Sequence, residues 1–425
     1  MATLPATIGK YRIERELGRG ASGTVYLGYD PFRSRQVAIK QIHAHLLADP
    51  GQNARYRKLL HNEAILAGRL SHPHIVQLLD VDEDADQPYL VLEYVEGGPL
   101  ADYATPDQLL PVATVLDLAF KCCHALEHAQ RQGLVHRDIK PANLLLRRDG
   151  ELKLADFGAA LMLSGDETQL AGLVGSPSYM SPEQVMERPL THHSDMFSLG
   201  VVIYELLTGR RPFDGDSNYA TIYRISTVPA PSLLLARQDL PPRLDEVVAR
   251  ALAKKAQDRY ATWTDFADAL LDVNRELPSD AAGSEAERFQ QLRALAFFQD
   301  FHDVALWEAL RLGTWHRLDA GTILMAEGSP GDSFHLLMEG RVAISRNGIV
   351  LSTIDAGVSI GEMTYLQSGQ QMRTATATAA TDVFILVIRN EALRQASAEL
   401  QAQFDKAFIK LLVGRLVATN RQIAH

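Results

Sequence analysis

In the segment LVHRDIKPANLLL, Asp138 follows His136 and Arg137, Lys140 comes two residues later and Asn143 five residues later. An aspartate beside a phosphate can accept the proton of an incoming hydroxyl, and an asparagine five residues on can reach a metal from the same loop. Lys140 can offset charge that builds on a transferred phosphoryl group. Further along, ADFG supplies Asp156, an oxygen ligand of the kind hard Mg2+ prefers. Upstream, LGRGASGTVYLG places Gly18, Gly20 and Gly23 in the pattern G-x-G-x-x-G. That spacing alone also fits a dinucleotide-binding turn. Here a strand pattern, YRIEREL, precedes it and another, TVYLGYD, follows with no helix between. A glycine loop between two strands covers a triphosphate with backbone N–H groups, and a Cβ there would push the phosphates away. VAIK ends in Lys40, a strand lysine suited to the α- and β-phosphates of such a triphosphate. It needs a carboxylate to orient it, and Glu63 in the helical pattern RYRKLLHNEAILAGRL is the candidate. Taken alone, Glu63 is a solvated helix glutamate; beside Lys40 and the glycine loop, the ion pair is the better reading.

A second constellation lies near the other end. In SIGEMTYLQSGQQMRTATATA, Glu362 follows Gly361, and Arg373 comes 12 residues after that glycine. A Gly-Glu step into a short helical turn offers free N–H groups to an anion. An arginine returning to the same place can fork onto a phosphate. The carboxylate cannot bind phosphate but can accept from a ribose hydroxyl. One acid for sugar and one arginine for phosphate suit a cyclic nucleotide.

Two scaffolds must carry these groups. Residues 11 to about 100 alternate as strands, with one helix near 55–70, and residues 105–275 read as mostly helical. Thr105-Pro106 has the form of an N-cap followed by proline at the first helical position, and Gly133 and Gly209 stand where helices should stop. LPSDAAGSEAE reads as a linker, taken as 276–290. Beyond it, 286–312 has a helical pattern, and glycines punctuate short strands from Trp315 to Ile388, as in an antiparallel roll. Leu400, Phe404, Phe408, Leu411 and Leu412 form one apolar stripe, read first as core, with a lid or a dimer seam as alternatives. The length of 425 residues predicts two or three domains. The balance of 42 basic against 52 acidic residues argues against a grip on nucleic acid. No run reaches the roughly 18 apolar residues of a membrane helix, and no apolar signal core opens the chain. Cys122 and Cys123, adjacent on a helical pattern, form no disulfide framework and read as core, which fits a cytoplasmic location. His72 and His74 read as a turn before a strand, and His192 and His193 as surface.

From about Tyr11 to Val273 the chain resembles the eukaryotic-type serine/threonine protein kinases, in the form bacteria also carry, with every signature element in order. The resemblance implies an α+β architecture: a bilobal kinase domain over 11–275, with an N-lobe at 11–95 and a C-lobe at 96–275. It implies ATP and Mg2+ as cofactors and a protein substrate bearing Ser or Thr. Asp138, Lys40, Lys140 and Glu63 would carry the chemistry, and Asn143 and Asp156 would hold the metal. Leu17, Val25 and Ala38 would line the adenine pocket, Leu92 would guard it, and the backbone of Glu93 and Val95 would face the base. Glu183 in SPE, where relatives have APE, would pair with Arg259, and Asp195 would anchor the catalytic loop. Thr168 and Ser176 are the candidate phosphorylation sites in the activation segment, with Arg137 as their partner. The segment 291–423 is similar to the cyclic-nucleotide-binding domain of the catabolite activator protein and protein kinase A regulatory subunits, a β-roll with flanking helices. That resemblance assigns Glu362 to the ribose 2′-hydroxyl, Arg373 to the cyclic phosphate, Thr374 beside it, and the backbone of Gly361, Glu362 and Met363 to the phosphate. The ligand is cAMP or cGMP. Alternatives are a kinase whose second domain only docks or forms a homodimer, and a pseudokinase scaffold, against which the complete Lys40, Asp138, Asn143 and Asp156 set argues.

Overall fold

The computed structural model describes residues 4–20, 23–44, 48, 57, 61, 64–65, 68–157, 177–277, 284–367 and 372–423, the last with side chains to 417. The chain divides into two compact units, Met1–Ala281 and Ala282–His425.

The first unit opens with β1 (Thr7–Ile8), β2 (Tyr11–Arg19), β3 (Gly23–Asp30), β4 (Arg35–Ile42), β5 (Leu78–Asp82) and β6 (Tyr89–Glu93). They form one antiparallel sheet in the order β1-β2-β3-β4-β6-β5. Alternation decides its faces. Tyr11, Ile13, Tyr26, Val37, Ile39, Tyr89 and Val91 bury one face. On the other, Val25 lies opposite Lys40 and Leu92 opposite Ala38, and all four are only half-buried. β7 (Gly97–Pro99) follows, and then α1 (Val112–Arg131), which buries Cys122 and Cys123. The helix does not begin at Thr105-Pro106. That pair makes a turn closed by Gln108 N–H to Thr105 O at 3.0 Å. Pro106 lies so close to Gly209 that a Cβ there would strike it, and the helix waits for Pro111 at its N-cap. Gly133, at φ 76°, stands just past the helix end, as the sequence predicts.

β8 (Leu144–Arg147) and β9 (Leu152–Leu154) extend β7 into a small sheet. Then come α2 (Pro182–Val185), α3 (His192–Thr208), α4 (Asn218–Thr227), α5 (Leu233–Ala236), α6 (Pro242–Ala251) and α7 (Trp263–Glu276). α3 is buried along nearly its whole length and stops at Gly209, at φ 69°. His192 and His193 form its first turn.

In the second unit α8 (Glu285–Ala294) and α9 (Asp303–Leu312) precede the strands. The expected linker of 276–290 is therefore shorter: α7 runs to Glu276, and Ser284 with Glu287 forms a capping box that starts α8. The helical pattern of 286–312 is also broken, because Phe297, Phe298 and Phe301 turn inward against Phe404 and Phe408. The strands are β10 (Thr314–Leu318), β11 (Ile323–Met325), β12 (Ser333–Glu339), β13 (Arg341–Arg346), β14 (Ile349–Asp355), β15 (Ser359–Ile360), β16 (Thr376–Ala379) and β17 (Val383–Arg389). They form two sheets, β10-β17-β12-β15 and β11-β16-β13-β14. Between them lies a core of Met325, Leu337, Val342, Ile360, Ala377, Ala379, Val383 and Ile385. A single turn, α10 (Met363–Leu366), follows β15, and α11 (Asn390–Gln395) and α12 (Ala398–Ile423) close the unit. Leu400, Phe404 and Phe408 of the apolar stripe are fully buried.

Candidate functional site

The glycine loop joins β2 to β3 directly, and Gly20 N–H donates to Gly23 O at 2.9 Å. At Gly23 a Cβ would run into the carbonyl of Gln41. The open face of the sheet presents Val25, Ala38 and Lys40 beside half-buried Leu17. Lys40 Nζ reaches Asp156 Oδ1 at 2.7 Å, joining positions 116 residues apart. Glu93 ends β6, where its carboxylate accepts from Lys153 Nζ at 2.8 Å, and Val95 is buried just beyond. Glu63, Thr168 and Ser176 lie outside the described residues.

The catalytic-loop candidates hold one another. Lys140 Nζ donates to Asp138 Oδ2 at 2.7 Å, and Asn143 Nδ2 donates to the same oxygen at 3.0 Å and to Asp138 O at 2.8 Å. Ala155 N–H donates to Asn143 O at 2.8 Å, fixing the loop against the strand end that carries Asp156. Beneath them sits Asp195, buried on α3, which accepts from the N–H groups of His136 and Arg137 at 2.7 Å each. Burial raises its carboxyl pKa, while those N–H groups and the nearby His136 and Arg137 oppose the rise. The His136 ring packs on Phe157 with centroids 4.6 Å apart, and His136 Nε2 lies 3.1 Å from Ala155 O. Arg137 and Asp156 adopt left-handed backbone, at φ 69° and 64°. Arg137 Nε and Nη1 are buried with no hydrogen-bond partner among the described residues, and burial lowers the guanidinium pKa. Glu183 and Arg259 pair at 2.8 Å as expected, with the Arg259 side chain wholly buried.

In the second unit the structure brings Gly361, Glu362 and Arg373 together. Gly361 has φ 84°, and a Cβ there would meet Arg373 Nη1. Arg373 is 7% exposed; its Nη2 donates to Ser333 O at 2.6 Å and its Nη1 to Gly361 O at 3.2 Å. No carboxylate among the described residues forms an ion pair with it, and burial lowers its pKa. Glu362 is almost fully buried and takes a hydrogen bond from Ser359 Oγ at 3.1 Å. Its other oxygen accepts from Arg415 Nη1 at 2.6 Å, and Arg415 Nη2 donates to Ser359 O at 2.8 Å. Sequence reasoning missed Arg415, which lies on α12 outside any recognisable motif. Met363 is 44% exposed at the start of α10, and Thr374 is exposed although it follows buried Arg373.

Comparison with known proteins finds a match in each half of the chain. A cyclic nucleotide-binding domain model matches residues 315–399. The chain is 38% identical over 269 residues to serine/threonine-protein kinase Pkn1 of Myxococcus xanthus, covering 62% of this chain and 38% of that protein. It is 36% identical over 295 residues to serine/threonine-protein kinase PknB of Mycolicibacterium smegmatis, covering 67% of this chain and 46% of that one. The chain thus spans less than half the length of these curated relatives. A protein kinase domain model matches residues 11–274, more than half of the sequence, and the chain belongs to the protein kinase family.

Proposed function

We propose that the chain transfers the γ-phosphoryl group of ATP to serine or threonine hydroxyls of protein substrates, and that cAMP or cGMP bound in residues 291–423 biases the transfer. The observation that carries the first part is the convergence of Lys40, Asp138, Lys140, Asn143 and Asp156 from β4, the catalytic loop and the segment after β9. Asp138 accepts the hydroxyl hydrogen and aims the oxygen at the phosphorus. Lys140 faces the charge spreading over the transferred group. Lys40 holds the α- and β-phosphates, with Glu63 proposed to orient it. The donor set suits Mg2+: Asn143 turns its Nδ2 to Asp138, which leaves its amide oxygen, and Asp156 contributes a carboxylate. Asn143 and Asp156 would hold the ion, which would supply positive charge to offset that of the phosphates. The catalytic domain is proposed over 11–275, and the protein substrate supplies the hydroxyl.

The second part rests on Arg373, a buried cation that forms no ion pair among the described residues, beside the buried carboxylate of Glu362. A cyclic phosphate supplies the missing anion and a ribose hydroxyl supplies a donor to Glu362. We also assign a cytoplasmic location, on the two buried free thiols; no helix of the described residues is long and apolar enough to cross a membrane.

Radiolabelled transfer from ATP to a generic protein substrate tests the kinase reading. Lys40→Met and Asp138→Asn should each reduce transfer by at least about 100-fold with unchanged circular dichroism. Transfer that survives either change in a folded protein removes the catalytic assignment. Calorimetry with cAMP and cGMP tests the second part, and unchanged affinity in Arg373→Ala removes the site.

A further inference from the structure

His335 is one residue of this second site that no motif singles out. On β12 its side chain alternates with those of Phe334 and Leu336, so it points to the same side as Leu337, which belongs to the core between the two sheets. Its neighbours across the sheet are Ile360 on β15 and Val387 on β17. Both residues that give carbonyls to Arg373 adjoin it: Ser333 lies two positions earlier on β12, and Gly361 directly follows Ile360. The ring therefore shares the interior with the guanidinium. It is 7% exposed, and its Nδ1 has no hydrogen-bond partner among the described residues.

A buried ring nitrogen left unpaired is costly, and a native structure retains one where something else completes it. The charged and titratable groups around the ring are Arg373 before β16, His316 on β10 and Asp332 before β12. Across the sheet the ring faces Ile360 on β15 and Val387 on β17, and the carboxylate of Glu362 just beyond β15 accepts from Arg415. Burial first, then Arg373 and His316, hold the imidazole pKa down at about 4, against the pull of Asp332. Free of ligand, the ring is neutral near pH 7. A phosphodiester anion seated on Arg373 removes the repulsion and adds an acceptor, and both effects favour the imidazolium.

We propose that His335 is a second anion-facing group of the nucleotide site, taking up one proton as the cyclic phosphate docks on Arg373 and donating a hydrogen bond to it. The proton comes from solvent and goes to the imidazole; no covalent bond of the ligand changes. The proposal rests on the cyclic-nucleotide reading above. Its sign is fixed: a pKa raised in the bound state adds affinity below that pKa, and the gain is lost as pH rises through it. If the bound ring titrates near the ordinary histidine value of about 6.5, affinity is about 30-fold tighter at pH 5 than at pH 8.

The test is calorimetry of the full chain with cAMP and cGMP from pH 5 to 8, in pairs of buffers with different ionisation enthalpies. The wild-type protein should take up close to one proton at the acid end and none at pH 8. His335→Gln should lose the acid gain, so that its affinity no longer rises between pH 8 and pH 5. Binding with a flat pH profile and no proton uptake in the wild type overturns the role of His335 and leaves the nucleotide site standing, and so does a His335→Gln variant that keeps the slope. No binding of either nucleotide by the folded wild type at any pH overturns both. The proton count needs no variant, so it decides the matter even where His335→Gln fails to fold.

Discussion

Asp195 has no role in touching a phosphate, yet the catalytic loop depends on it. Its two oxygens satisfy the N–H groups of His136 and Arg137, each at 2.7 Å, and it is buried at 3% exposure. The residue it holds, Arg137, sits at φ 69°, a region that costs a non-glycine residue of order 1–3 kcal/mol unless its surroundings enforce it. Asp156, at φ 64°, is enforced in a similar way by Ala155 N–H on Asn143 O and by the ring of His136 on Phe157. Removing the anchor with Asp195→Ala leaves two buried donors unpaired and releases the strain. We expect a loss of about 3 kcal/mol of stability, seen as a melting point lower by roughly 6–12 °C. The catalytic rate should fall with it while ATP affinity holds, because Lys40, proposed to hold the phosphates, lies on a different element. A variant that melts like the wild type and keeps its rate removes Asp195 from the loop's support.

At the scale of elements, the Glu183–Arg259 pair ties the short α2 to the connection between α6 and α7. Arg259 is 2% exposed, and besides Glu183 its guanidinium donates to the carbonyls of Ala253, His193 and Lys254. Burial lowers its pKa and Glu183 opposes that. Glu183→Gln leaves the cation buried beside a neutral amide and should cost about 3 kcal/mol in urea unfolding. Replacing both partners together, Glu183→Leu with Arg259→Met, should recover part of that loss, since the uncompensated charge is gone. A double variant as unstable as the sum of its parts would show that the pair is not coupled. This pair was legible through the kinase resemblance, which carries it onto Glu183 of SPE and onto Arg259. So were Lys40, Asp138, Asn143 and Asp156, and the strand–turn–strand context of the glycine loop. What the sequence hides is contact made by unremarkable residues. Arg415 meets Glu362 across 53 positions from a helix with no motif, and His335 is one polar letter in a run of apolar strand residues. Two boundaries fail for physical reasons. Thr105-Pro106 carries helix-start chemistry, but packing of Pro106 under Gly209 makes it a turn. The small residues of LPSDAAGSEAE have a linker's composition, but Ser284 and Glu287 within it form a capping box that starts α8.

For the molecule as a whole, the proposal joins an ATP site in the unit Met1–Ala281 to a cyclic-nucleotide site in the unit Ala282–His425. Two sites on one chain are coupled only if each ligand binds two states of the protein unequally. The coupling then acts in both directions by the same factor, typically about 5- to 150-fold, and this equality holds for binding and not for turnover. Asp138→Asn provides the material for measuring it, since ATP remains intact while Lys40 and Asp156 still hold it. Titrating cAMP or cGMP with and without ATP and Mg2+ gives one ratio of dissociation constants. Titrating ATP with and without the cyclic nucleotide gives the other. The expected result is two ratios that agree and differ from one. Ratios of one in both directions, with both ligands bound, mean that the second unit does not speak to ATP binding. Any influence on the kinase would then act on the protein substrate or on the transfer step, where a rate assay on the wild-type chain would reveal it.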